Sequence, residues 1–190
     1  VVPRGFTRFL GKLAEFTDRG KPVHFFTGNH DVWVFDYLPK EIGVQVHRKP
    51  IIEEIDGRTF FIGHGDGLGS GDVGYKLLKG IFTNKVLQWL FARLHPNGAV
   101  GFAHRWSKHS RYSKGFAAED YNPEKEHLVS FIKTHEAKAH CDYYIFGHRH
   151  FPVHHKVGEA TYVNLGDWLN HFSYAYWDGE QMHLEKYQED

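Results

Sequence analysis

The sequence predicts an α/β fold, on three observations. Short strand-like apolar runs alternate with helical segments, and four of the runs end in a glycine-marked polar turn. The side chains able to do chemistry gather in those turns, just past strand ends, where open α/β sheets bind ligands. The length of 190 residues suits one domain with a real core.

The first element is a helix, because Phe6, Phe9, Leu10, Leu13 and Phe16 fall at helical spacing. A strand at Val23 to Phe26 follows and runs into Thr27-Gly28-Asn29-His30-Asp31. An α/β fold rarely starts on a crossover helix, so a strand-bearing segment is expected ahead of Val1. Arg58 to Ile62 is the next strand of this kind and runs into Gly63-His64-Gly65-Asp66. Asp142 to Phe146 runs into Gly147-His148-Arg149-His150, and Ala160 to Asn164 into Leu165-Gly166-Asp167. A further strand pair is expected from Gln45–Val46 and Pro50–Ile55, with a turn at Asp56-Gly57. The tail reads as a hairpin, Phe172 to Trp177 against Gln181 to Tyr187, around a two-residue turn at Asp178-Gly179.

Between His64 and His148 the pattern is helical. Leu77, Leu78, Ile81 and Phe82 form one short apolar face. Thr83-Asn84 can cap a second helix carrying Val86, Leu87, Leu90, Phe91 and Leu94, stopped by Pro96-Asn97-Gly98. A third helix spans Phe102 to Lys114, and Asn122-Pro123 starts a fourth with Leu128, Phe131 and Ile132 facing inward. The first three are expected to form a lid at residues 68–120, inserted into a core made of residues 1–67 and 121–190.

Lys plus Arg and Asp plus Glu each total 23, a formal charge of zero. That supplies no long-range pull on a polyanion and argues against a nucleic-acid partner. The single Cys141 excludes an internal disulfide framework and suits a reducing cytosol. No apolar run approaches the length needed to span a bilayer. Sixteen histidines are many for this length, and they invite a search for metal-ligand spacing.

Gly-Asn-His-Asp, Gly-His-Gly-Asp and Gly-His-Arg-His occur in that order, each after a strand. Singly, each suits a surface loop. Jointly they place Asn29, His64, His148 and His150 on one rim of one sheet. Imidazole and amide-oxygen ligands suit Mn, Fe, Zn or Co. In an extended segment His148 and His150 would point the same way, because side chains alternate with period two.

This succession of motifs resembles the calcineurin-like metallophosphoesterase superfamily. The resemblance implies a four-layer αββα sandwich and a centre of two divalent ions, with Mn the implied metal. By the family pattern Asn29, His64 and His148 hold one ion, His150 holds the other, and His30 acts on the leaving group. The reaction implied is direct attack of a metal-activated hydroxide on phosphorus. The family also has an Asp-x-His and a Gly-Asp motif earlier in the chain, and neither lies upstream of Asn29 here. Four neutral ligands leave two dications without charge compensation or a bridge. Weak or single metal occupancy is therefore expected of these 190 residues.

The insertion resembles the lid of the UDP-2,3-diacylglucosamine pyrophosphatases of the lipid A pathway. The matching stretches are His64 to Asp72 and Ser107 to Lys114. The resemblance implies that Asp72, Ser107, Arg111 and Lys114 contact the sugar, phosphate or nucleotide of a lipid-linked nucleotide sugar. It also implies a cytoplasmic enzyme peripheral to the inner membrane of a Gram-negative bacterium. The products would be UMP and 2,3-diacylglucosamine 1-phosphate. Independently, Ser107, Arg111 and Lys114 are spaced to share one helix face. Hydroxyl, guanidinium and ammonium there would make a diphosphate grip, or simply a solvated basic face. Two alternatives stay open: another calcineurin-like phosphodiesterase, and a non-catalytic fragment lacking the Asp ligands.

Overall fold

The computed structural model describes residues 5–29, 31, 33–68, 80–93, 98, 101, 105 and 121–188. The chain divides into two compact units, one of Val1–Arg48 with Gly74–Gly115 and one of Lys49–Val73 with Phe116–Asp190.

The first unit opens with α1 (Thr7–Asp18), then β1 (His24–Phe26), α2 (Tyr37–Ile42) and β2 (Gln45–His47). Phe6 and Phe9 of the expected apolar stripe are exposed, and α1 buries none of its residues fully. The helix instead meets α2 through Thr17, whose Oγ1 donates to the carbonyl of Ile42. Gly43 closes α2 in the left-handed region at φ +76°, its N–H reaching the Pro39 carbonyl. The chain can then turn at once into β2, which pairs with β1 in parallel. Later in the chain, α3 (Lys85–Phe91) begins at Asn84, whose side chain accepts from the Val86 and Leu87 N–H groups. Asn84 thus caps α3 as its residue type predicts.

The second unit carries β3 (Ile51–Ile55), β4 (Arg58–Ile62), α4 (His127–Glu136), β5 (Tyr143–Phe146), β6 (Pro152–Val157), β7 (Ala160–Leu165), β8 (Ser173–Trp177) and β9 (Met182–Lys186). Five strands form one sheet in the order β3-β4-β5-β7-β6. The central strands β4, β5 and β7 run parallel, and each edge strand is antiparallel to its neighbour. Alternation along the central strands sorts their side chains onto two faces. Phe61, Tyr144, Phe146 and Tyr162 point one way and pack with Leu128, Val129 and Ile132 of α4. Phe60, Ile62, Tyr143, Ile145, Val163 and Leu165 point the other way, onto Met182, Ala175, Trp177 and Leu184 of the β8–β9 hairpin. Helix, sheet and hairpin therefore stack as three layers within this unit, a mixed α/β arrangement that matches the predicted class. Burying a side chain such as Ile132 contributes about 1.5–3 kcal/mol.

Several local expectations need correction. Gln45–Val46 does not pair with the 50–55 strand; β2 pairs with β1, while β3 folds back on β4 across Asp56-Gly57. Both turn residues have positive φ, +50° and +73°, as a two-residue hairpin loop requires. The tail hairpin closes through four residues rather than two, because Trp177 pairs with Met182. Asp178 organises that loop by accepting from the Glu180 and Gln181 N–H groups. Helix α4 begins at His127 instead of following Asn122-Pro123, since the Glu126 carboxylate caps it and Asn122 caps only a turn. Strand β6 and helix α2 were not anticipated. The expected lid, residues 68–120, lies largely outside the described residues.

Candidate functional site

Strands β4 and β5 are parallel neighbours, so their C-terminal turns emerge side by side. The carbonyl of His64 accepts from the N–H groups of both Gly147 and His148, at 3.1 and 3.0 Å, which ties the two turns together. Gly65 permits this closeness. Its φ is +103°, and a Cβ there would sit 3.2 Å from the Cβ atoms of His148 and Phe146. The result is a pair of imidazoles, His64 and His148, with ring centroids 5.1 Å apart at an interplanar angle of 65°.

The two rings are held differently. His64 Nδ1 lies 2.9 Å from Asp66 Oδ1, and Asp66 is nearly buried. An ionised carboxylate only accepts, so the proton sits on Nδ1 and the lone pair stays on Nε2. His148 Nδ1 is buried with no hydrogen-bond partner. Burial, reinforced by the neighbouring His64, pushes the pKa of His148 down to about 3. The ring is therefore neutral at physiological pH, the form that ligates a cation.

His150 takes a different course. Residues 147–150 form a turn, with the His150 N–H on the Gly147 carbonyl at 3.4 Å and His150 at φ +59°. The expected extended segment, with both histidines pointing the same way, is thus replaced by a turn that separates them. His148 faces His64, whereas His150 Nδ1 comes within 3.8 Å of Asp167 Oδ2. Asp167 also accepts from the backbone N–H groups of Leu169, Asn170 and His171. Its burial alone would raise its pKa, but those donors, Asn170 and His171 first, bring it down to about 2.

Asn29 lies half-buried in the turn after β1, a strand of a separate two-stranded sheet in the first unit, so the four expected ligands do not share one sheet. His30, Asp72, Ser107, Arg111 and Lys114 lie outside the described residues. Among the described residues no group of three or more His, Cys, Asp or Glu side chains could hold a metal ion. The orphaned buried Nδ1 of His148 and the free Nε2 of His64 nevertheless fit a cation as two of its ligands. Sequence reasoning gave no role to Asp66, Asp167, Glu126 or His127. Asp66 carried a signal, since it ends the Gly-His-Gly-Asp motif. Glu126 and His127 carried none, lying outside every motif.

No protein-family model matches the chain. Curated relatives do. A UDP-2,3-diacylglucosamine hydrolase of Porphyromonas gingivalis is 42% identical over 97% of this chain and 76% of its own length. Proteins of the same name from Edwardsiella ictaluri and Aeromonas hydrophila are 29% and 27% identical, over 92% and 83% of this chain and 68% and 66% of their own lengths. Relatives and fold together define the class as a hydrolase built on a mixed α/β sheet. Within that class, the chain belongs to the UDP-2,3-diacylglucosamine hydrolase family. No helix among the described residues is long and apolar enough to cross a membrane.

Proposed function

We propose that the protein hydrolyses the pyrophosphate bond of UDP-2,3-diacylglucosamine, releasing UMP and 2,3-diacylglucosamine 1-phosphate. The observation that carries this reading is the 42% identity to a UDP-2,3-diacylglucosamine hydrolase across nearly the whole chain. The His64–His148 pair at the ends of adjacent parallel strands supports it, because that is where a ligand of an open α/β sheet binds.

In this reading His64 and His148 hold a divalent cation together with Asn29, and His150 contributes to a second. When bound, such ions, with Mn the leading choice, polarise phosphoryl oxygens and acidify water. The chain's own residues do the rest. Asp66 fixes the His64 tautomer, and burial keeps His148 unprotonated. His30 protonates or stabilises the departing group. Asp72, Ser107, Arg111 and Lys114 grip the sugar and diphosphate. The enzyme works at the cytoplasmic face of the inner membrane as a peripheral protein, and the 68–120 segment serves as its lid.

Rates of the full-length gene product on the acylated UDP-sugar and on a simple phosphodiester such as bis(p-nitrophenyl) phosphate test the proposal. UMP release with strong preference for the acylated substrate is expected. Equal or better turnover of the simple diester would instead make the protein a generic phosphodiesterase.

A further inference from the structure

We propose that Glu126 is a positioning residue that fixes the orientation of His148 and the course of the Gly147–His150 turn. The proposal rests on the hydrolase reading and extends it to a residue outside all three metal-ligand motifs. The Glu126 side chain is only 2% exposed, and its one carboxylate makes three contacts. Oε2 lies 2.9 Å from Arg149 Nε, an ion pair rather than an aligned hydrogen bond. Oε1 meets His127 Nδ1 at 3.1 Å and accepts from the Leu128 N–H at 3.3 Å.

Those partners flank His148 on two sides. Arg149 is its chain neighbour and the residue between the two histidines of the motif. Beyond Glu126, its guanidinium rests 5.4 Å from the ring of buried Phe151. The His127 ring stands edge-on to that of His148, with centroids 6.2 Å apart at 82°. His148 lacks a hydrogen bond at Nδ1 that would set its own ring. Its direction therefore depends on the rings packed against it and on the backbone turn that carries it. Glu126 holds one of those rings through His127, and the turn through Arg149. By capping α4 it also anchors both to the helix that packs on the sheet. A buried carboxylate suits this task because removing one partner of a buried ion pair is costly, which keeps the two groups together.

Glu126→Gln, Arg149→Met, their double variant and an exposed control, Glu53→Gln, test the proposal in the full-length gene product. The readouts are kcat and KM on the acylated UDP-sugar and NMR shifts of the His148 and His150 rings. Loss of a partner that orients a metal ligand typically costs about 10–100-fold in activity. E126Q and R149M should each lower kcat by about that factor, leave KM within about twofold and move both ring signals. The double variant should be no worse than E126Q alone, because R149M removes a link that E126Q has already broken. His148 and His150 ring signals that stay at the control positions in both variants would overturn the proposal. Should E126Q fail to fold, R149M decides from the accessible end of the same ion pair. Should the wild type release no UMP, the functional reading fails, while the ring spectra still decide the positioning role.

Discussion

Asp66 holds the imidazole of His64 by its Nδ1, at 2.9 Å, one turn beyond the strand that delivers both residues. That contact leaves Nε2 as the ring's only lone pair, and so decides which atom His64 can offer a cation or a phosphoryl group. Asp66→Asn keeps the shape but replaces an obligate acceptor by a group that can donate. An outer partner of a ligating histidine is typically worth about 10–100-fold in metal affinity or activity. UMP release by D66N should fall by about that factor, with thermal stability close to wild type. Undiminished turnover would remove Asp66 from the account.

Gly65 sits where two strand-end turns nearly touch. A methyl group there would lie 3.2 Å from two Cβ atoms on a backbone at φ +103°, which side-chain-bearing residues rarely adopt. Gly65→Ala should destabilise the fold by about 1–3 kcal/mol and also depress activity, because relief requires the turn that carries His148, or Phe146 at the end of its strand, to move. Urea unfolding and UMP release check the two effects. A variant with normal stability would show that the turns separate more readily than the geometry implies.

Asp167 supplies a pH dependence. Its pKa in the folded chain is about 2, below the ordinary value of 3.8. A depressed carboxylate contributes stability above its unfolded pKa and loses it as pH falls through the folded one. Wild-type stability should therefore decline between about pH 4 and pH 2, and at neutral pH the group contributes at most about 2 kcal/mol. Asp167→Asn should flatten that part of the stability profile in acid unfolding curves. An unchanged profile would mean that other carboxylates dominate.

The proposed ligand set makes a prediction about metal. Asn29, His64, His148 and His150 are all neutral, and two dications sharing only neutral ligands repel each other without compensation. Elemental analysis of these 190 residues after dialysis should give fewer than two tightly held ions per chain. Two retained ions would mean that further side chains of this chain ligate metal.

Much of the sheet was legible because its central strands are short apolar runs stopped by glycine. β4, β5 and β7 fall within a residue of where Arg58 to Ile62, Asp142 to Phe146 and Ala160 to Asn164 predict them. Strand β6 was not legible. It starts on Pro152, and between its buried Val153 and Val157 it carries His154, His155 and Lys156. An edge strand needs only a thin apolar face, so its pattern reads as a loop. The β1–β2 pairing escaped for a related reason: three-residue strands carry too little pattern to name their partner. In the site, motif spacing located His64 and His148 correctly on neighbouring turns. It misjudged the backbone between His148 and His150, because a left-handed φ at a histidine has no sequence signature. Glu126 reaches the site through tertiary packing alone, which one sequence cannot display.

The most direct measurement compares UMP release from UDP-2,3-diacylglucosamine by the full-length wild type and by His148→Gln, at matched metal and substrate concentrations. His148→Gln removes the buried imidazole while keeping a polar side chain of similar reach. Rapid release by the wild type is expected, with a loss of more than about 100-fold in the variant, beyond the range of an outer partner. A variant that releases UMP at the wild-type rate would contradict the placement of the reaction at the His64–His148 pair.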